Sequence, residues 1–121
     1  MRALLCKELG AAEALRIETV DDPTPGPGEL VIDVHAAGLN FPDTLIIAGK
    51  YQLRPELPFA PGAEAAGTIS AIGDGVTDWR IGDRVIANGA HGAFAEKTVK
   101  RADEIIALPD AMDYATGAGF L

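Results

Sequence analysis

Gly38-Leu39-Asn40-Phe41-Pro42-Asp43 is the stretch on which the reading of this chain turns. Two more glycine-bearing patches follow it in order, Pro61-Gly62-Ala63-Glu64-Ala65-Ala66-Gly67 and Gly73-Asp74-Gly75-Val76-Thr77-Asp78-Trp79-Arg80-Ile81-Gly82-Asp83-Arg84-Val85. In the first patch, Asn40 suits the N-cap of a helix, and Pro42 falls in the first turn, where its missing N–H costs little. A helix is predicted over Phe41–Ala48, with Gly49 as its stop. Upstream, Glu29–Ala37 alternates apolar and polar residues, which places Leu30, Ile32 and Val34 on one face of a strand. The intervening Asp21–Gly28 segment carries Pro23, Pro25 and Pro27, which donate no backbone hydrogen bond, and reads as a loop.

Further strands are predicted at Met1–Lys7, Ala14–Val20, Glu64–Ile72, Arg84–Ala87, Phe94–Val99 and Glu104–Leu108. A second helix opens at Asp113 and runs to Leu121 with no stop signal. Short strands joined by Gly/Pro turns give a mainly β chain, a partly open β-barrel with one or two short helices. Gly73, Gly75 and Gly82 lack the spacing of a dinucleotide-binding loop, and a short strand rather than a helix follows them. They read as turn glycines.

Composition sets outer bounds. A chain of 121 residues fits one domain and is long enough to bury a core. Its net charge of −8 opposes binding to nucleic acid or to an anionic membrane surface. An anionic cofactor stays open, since a turn or helix end can hold phosphate locally. No apolar run approaches the roughly 20 residues that a membrane helix needs, and Arg2, Lys7 and Glu8 bring charge too early for a secretory signal. The single cysteine, Cys6, cannot form an internal disulfide, which points to the cytoplasm. It sits in an apolar strand and reads as a buried, inert thiol.

Taken together, the three patches resemble the substrate-side domain of the medium-chain dehydrogenase/reductase superfamily, and most of all its zinc-free quinone oxidoreductase branch. Zinc alcohol dehydrogenases show Cys-Gly-x-Asp where this chain has Asn40-Phe41-Pro42-Asp43, and Gly-His-Glu where it has Gly62-Ala63-Glu64. Asn40 and Ala63 thus stand at two zinc-ligand positions, and no four-cysteine lobe is present. The resemblance implies a GroES-like barrel over residues 1–121, followed by a Rossmann cofactor domain that lies outside this chain. It implies hydride transfer from NADPH to a quinone or an α,β-unsaturated carbonyl without zinc. A homodimer is implied for the full-length enzyme, with its contacts largely in that second domain. The chain by itself is expected to be inactive. An enoyl-thioester reductase shares the same positions, and a non-catalytic binding or scaffold module on the same barrel is the reading from a different class.

Asn40, Asp43 and Tyr51 form the candidate catalytic set, and Asn40 is also the candidate cofactor contact. Asn40 and Asp43 are three residues apart and share one face of a helical turn. In similar enzymes the residues at the positions of Asn40 and Tyr51 face the cleft near the nicotinamide. An amide and a phenol can each donate to a carbonyl oxygen on which charge builds. The plainer readings are a helix cap for Asn40, a first-turn hydrogen bond for Asp43 and a surface aromatic for Tyr51. Glu64 is expected to accept from backbone or an arginine, and Asp83 to brace a turn. Cys6, His35 and His91 are scattered and offer no zinc set. His35 is expected to be exposed, and His91 to be solvated in its loop.

Overall fold

The structure is a computed structural model and describes residues 1–120. Seven strands and two short helices follow one another in the order β1 (Arg2–Leu5), β2 (Arg16–Thr19), β3 (Glu29–Gly38), α1 (Phe41–Ile47), β4 (Glu64–Ile72), β5 (Arg84–Asn88), β6 (Lys97–Arg101), β7 (Ile105–Ala107) and α2 (Tyr114–Ala118). Five of the strands make one antiparallel sheet in the order β6-β3-β4-β5-β7, while β1 and β2 form a separate hairpin. Single bridges, Ala3 to Ala95 and Cys6 to Phe59, stitch the hairpin to the loops beside the sheet. The outcome is the mainly β, partly open barrel that the sequence implied.

β3 is an interior strand of the sheet, paired with β6 and β4, and it departs from simple alternation. Leu30, Val31 and Ile32 are all buried, so both faces of β3 are covered at this end, and Val34 is only half-buried. Register shifts between Val31 and Ile32 and between Val34 and Ala36 bend the strand as it leaves the core. Leu30, Ile32, Ile69, Val85, Ala87 and Ile105 pack as one cluster. A second cluster joins Cys6, Ile46, Ile47 and Phe59, and it fixes the apolar face of α1 against the hairpin side. Gly67 sits where β4 crosses β3 closely. A Cβ there would overlap the Asp33 carbonyl oxygen, so only glycine fits.

Several boundaries differ from expectation. The strand expected at Phe94–Val99 begins at Lys97 and runs to Arg101, because Phe94 and Glu96 bond to the Pro61 and Arg2 carbonyls instead of pairing in the sheet. A 3-10 turn over Ala12–Ala14 delays β2 until Arg16. The second helix does have a stop. It ends at Ala118, and the Gly119 amide folds back onto the Ala115 and Thr116 carbonyls. Its opening follows expectation, with Asp113 accepting the Thr116 amide at 2.7 Å. Leu121, included in the expected helix, lies outside the described residues.

Candidate functional site

The candidate site forms where β3 ends and α1 begins, opposite the start of β4. β3 delivers its last residue, Gly38, to a position paired with Glu64. The chain turns through Asn40, whose extended backbone makes it the N-cap of α1. The Asp43 carboxyl reaches back and accepts the Asn40 amide N–H at 2.9 Å, so one orphan donor of the helix end is satisfied. Asn40 does not return the favour with a well-formed side-chain bond. Its side-chain Nδ2 donates to Glu64 Oε1 at 3.0 Å instead. The structure therefore brings Asn40 and Asp43 together and adds Glu64, which local reasoning placed outside the candidate set.

Both carboxyls are buried, with Asp43 5% and Glu64 6% exposed. The second oxygen of Asp43, Oδ1, is buried without a hydrogen-bond partner among the described residues. Burial pushes the Asp43 carboxyl above its ordinary pKa, the Asn40 N–H opposes this, and the charge of Glu64 reinforces it. Glu64 was expected to accept from backbone or an arginine. The partner it has is a neutral side-chain amide, because the Asn40 turn delivers that amide directly over the start of β4.

Tyr51 lies beyond the helix stop. Gly49 takes a φ of +72°, the left-handed conformation that ends α1. Tyr51 itself is 38% exposed, and no side-chain hydrogen bond ties it to Asn40 or Asp43 among the described residues. Phe41 and Leu39 flank the turn and are more open still, at 74% and 83%. The apolar surface at this mouth is thus Leu39, Phe41 and Tyr51. In α2, Gly117 and Ala118 are buried, while Ala115, Thr116 and, beyond the helix, Phe120 are exposed.

The remaining singled-out residues sort plainly. Cys6 is buried, and burial pushes its thiol pKa up, as an inert thiol requires. Asp83 accepts the Arg80 amide at 2.9 Å and braces the turn before β5, as expected. His35 is exposed but stacked on Tyr114, with ring centres 4.1 Å apart. His91 meets the Phe59 ring edge-on at 5.7 Å. Among the described residues, no group of three or more His, Cys, Asp or Glu side chains is placed to hold a metal ion.

One buried group had no signal in the sequence. Lys100 is 5% exposed, and its Nζ donates to the His91 carbonyl at 3.0 Å. Desolvation lowers its pKa, and the nearby Glu104 carboxylate partly offsets that. Gly89 leaves the space that the ammonium fills. Lys100 holds the 88–92 loop against β6.

A five-stranded antiparallel sheet, a stitched hairpin and a capped helix at the mouth define a GroES-like barrel domain. The alcohol dehydrogenase GroES-like domain model matches residues 26–110, more than half of the chain. The chain belongs to that family, the substrate-side fold of the medium-chain dehydrogenase/reductase superfamily. It is 37% identical to a rat quinone oxidoreductase over 98% of its own length and 36% of the relative's. The solved structure of a human synaptic vesicle membrane protein VAT-1 homolog-like protein superposes with a TM-score of 0.94 at 37% identity, over 99% of this chain and 39% of that one. The Escherichia coli quinone oxidoreductase solved with NADPH superposes with a TM-score of 0.92 at 33% identity, over 98% and 36% of the two chains. The chain thus spans little more than a third of the length of these relatives.

Proposed function

We propose that this chain is the substrate-side domain of an NADPH-dependent, zinc-independent cytoplasmic oxidoreductase that transfers hydride to a quinone or an α,β-unsaturated carbonyl. The observation that carries this reading is the Asn40 turn. Its side chain stands where zinc enzymes of the family place a cysteine, and it is tied to Glu64 instead of being free to ligate a metal. Asn40 and the two carboxyls offer hydrogen-bond partners to hydroxyls or a carboxamide and no cation to a phosphate. This donor set fits the nicotinamide end of the cofactor, while the phosphates would be held by a Rossmann domain. When bound, that cofactor supplies the hydride.

The roles of the chain's own residues follow from geometry. Asn40 is pinned through both its backbone N–H and its side-chain amide, so little freedom is lost when a ligand arrives. Tyr51, whose phenol has no hydrogen-bond partner among the described residues, is available to polarise the acceptor oxygen or to deliver a proton. Phe41 and Leu39 give the acceptor an apolar wall. Partners in this reading are the small-molecule acceptor and the enzyme's own cofactor domain, with homodimer contacts in the latter.

The test is an acceptor screen on the full-length enzyme with NADPH and NADH, together with elemental analysis of protein purified without added metal. NADPH-dependent quinone reduction by zinc-free protein supports the reading. Stoichiometric zinc, or a folded protein that oxidises neither nicotinamide with any quinone, enone or enoyl thioester, overturns it.

A further inference from the structure

Resting on that reading of the Asn40 turn, we infer that Glu64 is the positioning residue that sets the orientation of the Asn40 amide in the cleft.

Three observations carry this. First, a deprotonated carboxylate only accepts hydrogen bonds, so the contact between Asn40 and Glu64 has one sense: the amide nitrogen, not its oxygen, faces Glu64. Without that constraint the two ends of an amide could exchange places. With it, the amide offers the cleft a fixed arrangement of donor and acceptor. Second, Glu64 is itself held. Gly38 lies directly against the Glu64 side chain, and a Cβ on residue 38 would overlap the carboxylate. The missing side chain of Gly38 is the cradle that lets a carboxylate reach the Asn40 turn. Third, no cation within ion-pair distance compensates Glu64 among the described residues, although it is 6% exposed.

A purely structural account handles this third point poorly. The pairing of β3 with β4 already joins Gly38 to Glu64 through the backbone. An apolar side chain of similar size would fill the same space without desolvating a carboxylate. What a carboxylate adds at this position is an acceptor for the Asn40 Nδ2. Asp43 is a titratable neighbour, and its carboxyl is pushed toward its neutral form by burial and by Glu64 itself. The two groups thus divide the work. Asp43 holds the Asn40 backbone, and Glu64 holds its side chain.

The experiment is a double-mutant cycle in the full-length enzyme, with Asn40→Ala, Glu64→Leu, both together, and Glu64→Gln. Misplacing a contact group by about 1 Å can cost on the order of 100-fold in rate. Glu64→Leu is expected to lower kcat by about 10- to 100-fold on that scale. Glu64→Gln keeps a carbonyl acceptor for Asn40 and should recover most of the loss. The double variant should be no slower than Asn40→Ala alone, since Glu64 acts only through Asn40. A second readout needs no turnover: in nitrogen-labelled protein, the Asn40 side-chain NH2 signals should move in Glu64→Leu and stay near their place in Glu64→Gln. A kcat in Glu64→Leu equal to wild type, or losses that add in the double variant, overturns the inference while leaving the function standing if Asn40→Ala is slow. Wild-type kcat in Asn40→Ala removes Asn40 from the catalytic set, and the inference falls with it, while the quinone reduction itself still stands. If Glu64→Leu does not fold, Gly38→Ala, which crowds the carboxylate from the other side, must reproduce the same non-additive loss, and additive behaviour there is equally fatal.

Discussion

The Arg84 guanidinium lies over the Tyr114 ring, 4.7 Å from its centre, while the ring's stacking partner is His35. Arg84 also donates to the Met112 carbonyl at 2.6 Å and the Pro109 carbonyl at 3.2 Å. One β5 side chain therefore anchors both the approach to α2 and its first residue. Arg84→Met should destabilise the domain by about 1–3 kcal/mol, the scale of charged hydrogen bonds lost from partly buried carbonyls. Thermal melting should fall by roughly 5 °C or more. Amide exchange should quicken first at Gly117 and Gly119. An unchanged melting temperature would mean that α2 docks through its apolar contacts alone.

Asp43 should leave a signature in the pH dependence of stability. Its folded pKa is raised, mainly by burial. The sign is therefore that of an acid favoured in its neutral form. Its contribution is fully present below the unfolded pKa of about 3.9 and is lost as pH rises through the folded value. Asp43→Asn removes this titration. The stability of the wild type minus that of the variant should fall as pH increases above about 4. Urea midpoints measured in parallel for the two proteins supply the difference. A difference that rises with pH would show that the charged carboxylate is the stabilised form.

Two glycines separate steric exclusion from backbone strain. Gly67→Ala would push a methyl into the Asp33 carbonyl across β3 and β4. Gly75 has a φ of +84° with open space around it, so Gly75→Ala meets strain without a clash. Gly75→Ala should cost about 1 kcal/mol, the scale of a single residue forced into the left-handed region. Gly67→Ala should cost more than 2 kcal/mol or prevent folding, since the strand pair must shift to admit it. Denaturant unfolding of both variants decides, and equal costs would contradict the packing at β3–β4.

Tyr51→Phe should depend on the acceptor. Quinones take up hydride with little help from an acid, so the loss in kcat should be about 10-fold, below the usual range for general acid catalysis. An enoyl thioester needs a proton on carbon, and there the penalty should be larger. Steady-state kinetics of the full-length enzyme with both acceptor types gives the comparison. Identical kcat and KM for wild type and variant with every acceptor would return Tyr51 to the role of a surface aromatic.

The parts of this fold that obey local rules were legible. Asn40, Pro42 and Gly49 mark the two ends of α1 through capping, proline tolerance and a left-handed glycine, and none of these depends on distant residues. Asp113 announces α2 in the same way. What depends on long-range partners was not legible. Val31 is about as buried as Leu30, so both faces of the sheet are covered there, which alternation within β3 cannot express. The Glu64 contact joins residues 24 positions apart, and no spacing rule links them. Lys100 is the sharpest case. A lysine on a short strand reads as solvated, and only the gap at Gly89 gives its ammonium a buried seat. The Asn40 turn itself was legible as local structure, but its tie to Glu64 was not.

The most direct measurement is the rate of NADPH oxidation by the full-length enzyme with a simple quinone, for wild type and for Asn40→Ala that melts at the wild-type temperature. The account expects quinone-dependent turnover by the wild type. It expects a fall in kcat on the order of 100-fold in the variant, the usual scale for loss of one preorganised hydrogen-bonding group at a reacting centre. A folded wild type with no turnover, or an Asn40→Ala enzyme as fast as wild type, would contradict it.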